Sequence, residues 1–397
     1  MLGIQKEVTM RIFTQIITKT LLPTAALVCL VLIACMPFSC RATEESLQLL
    51  SGDFTVPKIT GFQVVDNTHL RLEVSKPVKV DHAVVVSTKN DESTALSSLA
   101  GDDLCQLVFT VPQSLSVGES FLFEGAVFDA NGNSLTFSIP FTGFNGAVPR
   151  LVFSEVRTKT GTAQVNGATV HRSEFVELYA LSGGNLSGLE LYAASTGDAM
   201  RYLLPPIDVS AGEYIVVHFR QFLTSDKTPV NEGERIDELG DDFSLATATD
   251  HCPTARDLWG NNLKRFFGDA DIIVLRNTAN GEILDAFVYA PSDTVGWNDS
   301  YETLATQVCQ SGVWQDADGV ASCDISSAVK SDLMTTINRT ASRRNIAALA
   351  EQYEEFERRV ASGTSSEESF IAENSAAQWA VGTSKDYTTP GLPNVFN

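Results

Sequence analysis

The sequence predicts a mainly β protein built as two tandem antiparallel β-sandwiches, the second carrying helical insertions. Three observations lead there. Apolar residues alternate with polar ones at the period of a half-buried strand, as in Leu70, Leu72 and Val74 against Arg71 and Glu73. Turn signals such as Asn131-Gly132 separate successive runs of this kind. A short Gly- and Pro-bearing segment, Gly143 to Pro149, divides two strand-rich regions, and helical spacing is confined to the second of them.

Ahead of the first strands, residues 21–35 form an apolar run behind Lys6, Arg11 and Lys19, ending Leu32-Ile33-Ala34-Cys35. A spanning helix needs about 20 apolar residues. This run is about 14 long and is broken early by Pro23, so it reads as a secretory leader instead. With a cysteine just past the small-residue cleavage point it resembles a bacterial lipoprotein signal, which implies residues 1–34 as signal peptide and Cys35 as the lipidated residue. Cys40 follows Pro37-Phe38-Ser39, a poorer fit, and the start may be taken at Met1 or Met10 without changing the compartment. The expected location is the cell envelope, with the chain exported and anchored to the outer membrane or the outer face of the cell membrane. Residues 35–55, containing Arg41-Ala-Thr-Glu-Glu-Ser, read as a polar tether.

Residues 56–145 form the first sandwich. Further strands are expected at Ala83 to Ser87, Cys105 to Val111, Ser120 to Phe128 and Ser134 to Phe141. The last two meet at Asp129-Ala-Asn131-Gly132-Asn133, where Asn-Gly would supply the positive φ angles of a tight hairpin and Asp129 would cap the turn. The second region, 150–397, contains strand runs and two insertions, at about 220–270 and 303–377. The first insertion is acidic between Glu232 and Asp242 and then runs into His251-Cys252. In the second, Ile325, Val329, Leu333 and Ile337 recur every four residues, and Ile346, Leu349, Tyr353, Phe356 and Val360 every three or four. Both stripes predict amphipathic helices, paired as a hairpin against the sandwich or against another protein.

Composition narrows the function. The chain has 397 residues, of which 44% are hydrophobic and 19% charged, enough for well-formed cores. A net charge of −21 argues against nucleic acid and anionic lipid headgroups as direct partners, because both are bound through clustered Lys and Arg. Of the seven cysteines, Cys29 lies in the leader and Cys35 is the anchor, leaving Cys40, Cys105, Cys252, Cys309 and Cys323. Cys309 and Cys323 flank one polar loop and are the candidate disulfide, worth roughly 3 kcal/mol in the chain-entropy model.

Two resemblances add to this. Val74-Ser75-Lys76-Pro77-Val78, Phe128-Asp129 with Gly132-Asn133, and Phe141-Thr142 resemble the Ig-like domains of bacterial surface proteins, which implies a structural module without catalytic residues. In the second region the quoted segments are Leu151-Val-Phe-Ser-Glu155, Ser173-Glu-Phe-Val-Glu177-Leu-Tyr179, Asn185-Leu-Ser-Gly188-Leu189 and Ala211-Gly212-Glu-Tyr214. The hairpin Asp271 to Tyr289 and the ending Thr389-Pro390-Gly391-Leu-Pro393-Asn394 follow, and together they resemble a lamin tail domain, again an Ig-like sandwich. The pattern departs at Ala180, where asparagine is common, and at Leu189, where tryptophan is usual.

Chemistry-bearing motifs are sparse. No Gly-x-Ser-x-Gly or Gly-rich phosphate loop occurs, and His69, His82, His171, His218 and His251 never fall at helical metal-binding spacing. Asp316-Ala-Asp318-Gly319 begins like a calcium loop but lacks its terminal glutamate, leaving Asp316 and Asp318 as weak metal candidates beside the simpler reading of a turn. Glu155, Glu174 and Glu177 could do acid/base work, yet suit sandwich edges or backbone hydrogen bonds better. Trp259 and Trp314, with Phe266 and Phe267, are candidate ligand-surface residues in the insertions, with core packing as the simpler alternative. The resulting expectation is a membrane-anchored envelope lipoprotein without catalysis or cofactor, displaying its modules for protein interaction or adhesion. A carbohydrate-binding or structural envelope role, and an accessory module of an exported hydrolase, are the alternatives.

Overall fold

The structure, a computed structural model, describes residues 53–99, 105–165, 168–220, 255–262, 264–364 and 370–396. Cys35, Cys40, Cys252, His251 and the acids from Glu232 to Asp242 lie outside these residues.

The first module contains β1 (Ile59–Val64), β2 (His69–Val74), β3 (Lys79–Ser87), β4 (Ser93–Ala95), β5 (Ser97–Leu99), β6 (Gln106–Thr110), β7 (Ser120–Phe128) and β8 (Ser134–Thr142). Two four-stranded antiparallel sheets, ordered β1-β2-β6-β5 and β4-β3-β7-β8, face each other. The alternation in β2 turns Leu70 and Leu72 fully inward and leaves Arg71 and Glu73 partly in water. Phe62, Phe109, Phe137 and Phe123 meet between the sheets, Phe109 and Phe123 edge to face at 5.0 Å. Each fully buried side chain of this size stabilises the module by about 2–3 kcal/mol.

The β7–β8 turn differs from the expected hairpin in one respect. Gly132 takes a positive φ (81°), but Asn131 does not. Asp129 substitutes for the missing turn geometry: its Oδ1 accepts the backbone N–H groups of Asn131 and Asn133, both at 2.9 Å.

The second module contains β9 (Leu151–Arg157), β10 (Gly161–Val165), β11 (Ala168–Arg172), β12 (Phe175–Ala180), β13 (Gly184–Asn185), β14 (Leu189–Ala193), β15 (Tyr202–Leu203) and β16 (Asp208–Val209). It continues through β17 (Tyr214–Arg220), β18 (Arg256–Asn262), β19 (Asp271–Asn277), β20 (Ile283–Ala290), α1 (Asp299–Ser311), β21 (Val329–Lys330), β22 (Ala341–Arg343), α2 (Ile346–Ala361) and β23 (Trp379–Val381). A six-stranded sheet, β18-β17-β12-β9-β22-β23, packs on a five-stranded one, β15-β14-β19-β20-β21. The sandwich is mixed, since β17 with β18 and β20 with β21 run parallel. Both parallel pairs join strands separated by an insertion, and a long connection allows the chain to return in the same direction. β20 is buried along its whole length, because the core covers one face and α1, through Leu304 and Val308, packs with that core.

The helical reading holds for one stripe and fails for the other. Ile346 to Val360 lie on α2, whose Leu349 packs against Val152, Leu181 and Ala372 while Tyr353 meets Phe370 edge to face. Residues 325–337 form no α-helix: 3₁₀ turns at Ile325–Ser327 and Ser331–Leu333 flank β21. Local side chains take the backbone groups a helix would need, with Asp324 Oδ1 accepting the Ser326 N–H and Ser327 Oγ donating to Asp324 O. Val329 is drawn to the edge of β20, and Leu333 is exposed while Met334 is buried in its place. The helix paired in sequence with α2 is instead α1, ended by Gly312 at φ 75°.

The modules meet through a stitched joint. Asn145 Nδ2 donates to the carbonyls of Asn185 and Ser187, both at 2.7 Å, and Asn185 N–H donates to Ala147 O at 2.7 Å. Gly118 has a positive φ of 72°, and a Cβ there would stand 2.4 Å from Ser187 Oγ and 2.6 Å from Pro206 Cβ. Glycine is what permits this approach.

Candidate functional site

The chemistry-bearing side chains gather on the outer face of the six-stranded sheet. Register sets Glu155 opposite Glu177, Glu177 opposite Val216 and Val216 opposite Asp257, a row crossing β9, β12, β17 and β18. Residues opposite one another share a face. Two positions along each strand, Arg157, Phe175, His218 and Trp259 form a parallel row. Their neighbours Val156, Val176, Val217 and Leu258 face the core.

Both rows are buried, and Glu155, Glu177, His218, Asp257 and Arg157 are each 0% exposed. The C-terminal segment supplies donors to the first row. Thr389 N–H donates to Glu155 Oε2 at 3.1 Å, and Gly391 N–H donates to Glu177 Oε2. Asn394 Nδ2 reaches Ser154 O, at the irregularity in the β9–β12 register, and Arg343 O. Residues 389–394 are thus a strap hydrogen-bonded to the sheet. Burial, reinforced by the neighbouring Glu155 carboxylate, holds the Glu177 carboxyl well above the ordinary range. In the second row His218 Nε2 lies 2.7 Å from Asp257 Oδ1, and the imidazole stacks on Trp259 with ring centroids 4.0 Å apart. Glu174 Oε1 accepts the Phe266 N–H at 2.7 Å, pinning the segment ahead of β19.

A second buried network ties the two sheets together. Asp285 on β20 accepts the Phe153 N–H at 2.8 Å and Arg343 Nη1 at 2.7 Å through Oδ2, and Asn374 Nδ2 at 2.8 Å through Oδ1. Arg343 Nη2 also donates to Glu373 O at 2.6 Å. These carboxylates hold backbone and guanidinium donors, an arrangement that fixes strands. Among the described residues no group of three or more His, Cys, Asp and Glu side chains is placed to hold a metal ion.

Several expected site residues are corrected by these positions. Trp259 and Trp314 are buried at 2% and 0% exposure and present no ligand surface. Trp259 lies against His218, and Trp314 is held in the core with its Nε1 donating to Ser327 O. Phe266 and Phe267 are core residues, the first stacked on Phe219 and the second meeting it edge to face. Cys309 and Cys323 are free thiols. The last turn of α1 directs Cys309 Sγ to Ala321 O at 3.4 Å, whereas Cys323 is buried in the core. Asp316 Oδ1 accepts the N–H groups of Asp318 and Val320, so it caps a turn, and Asp318 points to solvent. Glu155, Glu174 and Glu177 take the second of their two expected roles: they are buried and accept backbone N–H groups, and they do not lie on sandwich edges exposed to water.

The pairing of His218 with Asp257 had no local signature. The two residues are 39 apart in sequence and meet only through the parallel pairing of β17 and β18. The available signal was phase: both His218 and Trp259 fall on the strand positions that alternate with core residues.

Residues 149–381 match the family model TP_1001_2nd, described as "protein second domain". The chain belongs to the TP_1001_2nd family. The matched residues take in β9 to β23, including both buried rows and the Asp285–Arg343 network, and stop short of the strap. An uncharacterized protein of Treponema pallidum (strain Nichols) is 30% identical over 178 residues, which are 45% of this chain and 41% of that protein's length. Among solved structures, the N-terminal part of the bacterial S-layer protein SbsC is 10% identical, with 60% of this chain and 45% of that one covered and a TM-score of 0.22. A DUF4876 family protein from Bacteroides thetaiotaomicron is 12% identical, with 54% and 75% covered and a TM-score of 0.22.

Proposed function

We propose that the protein is a lipid-anchored envelope lipoprotein without catalysis, whose Ig-like first module is a rigid spacer holding a lamin-tail-like second module away from the membrane for interaction with partners. One observation carries the reading: Asp53 and the joint at Gly143 lie at opposite ends of the first sandwich. Asn133 Nδ2 donates to Asp53 O at 2.7 Å, and Lys76 Nζ bridges Asp53 and Asp129 at 2.8 and 3.0 Å, fixing residue 53 beside the 129–133 turn. At the opposite end of the β7–β8 ladder Gly143 bonds to Gly118 and Glu119, where the joint to the second module begins. Nine residues of strand separate the two ends, or about 30 Å. The apolar leader ending in Cys35 gives the anchoring half of the proposal. The non-catalytic half is supported by the use of Glu155, Glu174, Glu177 and Asp285 as acceptors for backbone and guanidinium donors.

The test is the intact mass of the native full-length protein beside Cys35→Ala, with protease treatment of whole cells. A diacyl or triacyl mass increase lost in the variant, together with digestion at the cell surface, is the expected result. An unacylated chain, or one protected inside intact cells, overturns the display reading.

A further inference from the structure

We infer that the cleft between the β19–β20 hairpin, the last turn of α1 and Phe370 is a binding site for an uncharged sugar ring, a neutral hexose or N-acetylhexosamine unit. The inference deepens the display reading, on which its role at the cell surface rests. The cleft encloses about 490 Å³ and is lined by Arg150, Glu282, Gln307, Gln310, Phe370 and Ile371 among others. That volume lies within the roughly 300–1,000 Å³ of small-molecule sites.

Its walls offer unused hydrogen-bonding capacity. Arg150 Nη2 donates to Leu284 O at 2.8 Å and Nε is buried, which leaves Nη1 as the donor without a partner among the described residues, and no carboxylate lies at ion-pair distance from this guanidinium. The side-chain amides of Gln307 and Gln310 are exposed and engage no other described residue. Each amide both donates and accepts, which suits vicinal hydroxyls. Phe370, held by Tyr353 and Phe356, supplies an apolar face on the same wall, with Arg150 6.0 Å from its ring centre, and Ile371 is 51% exposed beside it. An aromatic face beside amide and guanidinium groups matches the alternating C–H and O–H faces of a pyranose.

Charge decides against an anion. Glu282 lines the same cleft and offsets Arg150, and α1 presents its C-terminal, negative end there. A phosphate or carboxylate would meet both.

The experiment is saturation-transfer difference NMR on the full-length protein in a zwitterionic detergent. Neutral probes are glucose, galactose, mannose, N-acetylglucosamine and N-acetylgalactosamine, and anionic probes are glucuronate and inorganic phosphate. At least one neutral probe is expected to receive saturation. Gln310→Trp, on an exposed helix position, should fill the cleft and abolish transfer with unchanged melting temperature. Arg150→Met should weaken binding about tenfold. No transfer to any neutral probe, binding of the anions instead, or full binding by Gln310→Trp overturns the site. Adhesion of intact cells to beads bearing the bound sugar separates the two proposals: binding by the purified protein without adhesion removes surface display and leaves the site standing.

Discussion

Replacing Asp285 with alanine should cost the second module a large part of its stability. The Asp285 carboxylate is 0% exposed and serves the Phe153 N–H, Arg343 Nη1 and the Asn374 amide, linking β20 of one sheet to β9 and β22 of the other. Arg343 is itself 0% exposed and stays charged, so Asp285→Ala leaves a buried cation without its counter-ion. Breaking such a pair costs about 3–5 kcal/mol, and each stranded donor adds on the order of 1 kcal/mol. The expected loss is about 5 kcal/mol, comparable with the whole stability of many domains. Urea unfolding followed by tryptophan fluorescence measures it, since Trp314 and Trp379 are both buried in this module. The double variant Asp285→Leu with Arg343→Met should recover much of the loss, because an apolar pair leaves no buried charge. A loss below about 1 kcal/mol in Asp285→Ala would refute the argument, showing that the network does not bind the sheets together.

Three further outcomes follow from the buried groups and the joint. The raised Glu177 carboxyl keeps a proton in the folded state that the unfolded chain releases near the ordinary value of 4.5, so stability should fall as pH rises above that value. Glu177→Gln should remove this slope, and thermal melts between pH 5 and 8 that stay parallel to wild type would contradict it. Gly118→Val should open the joint, because the side chain would collide with Ser187 and Pro206. Thermolysin should then cut faster within residues 143–149, and an unchanged rate would show that the joint is held elsewhere. Cys323, whose thiol burial pushes up to about 12, should resist Ellman's reagent in the native protein at pH 8 while Cys309 reacts. A mass two hydrogens lighter, assigned by peptide mapping to a Cys309–Cys323 bridge, would overturn the free-thiol assignment.

Legibility followed the range of the interactions. The strands of the first module could be read because alternation such as Leu70 to Val74 reports one buried face directly, and Asp129 acts within four residues of its own position. The stripe of α2 was readable for the same reason. The stripe from Ile325 to Ile337 misled because apolar spacing does not register serine and aspartate competing for the backbone, and because β20 offered Val329 a strand partner. The tryptophans illustrate a different limit. An aromatic in an insertion looks available in sequence, but Trp259 belongs to a strand paired with β17, and Trp314 fills the core beneath α1.

By itself the sequence determined the β class, the alternating strands, the Gly143 to Pro149 division and the helix over Ile346 to Ala361, all of which are properties of neighbouring residues. Only the tertiary structure decided that Glu155, Glu177 and Asp257 share one buried row, that Arg343 neutralises Asp285, and that residues 389–394 strap the sheet. The reason is physical: strand pairing joins residues tens to hundreds of positions apart, and burial then fixes which charges must find one another. A sequence carries the period of each strand, whereas partner and direction are set when the sheets close over a common core.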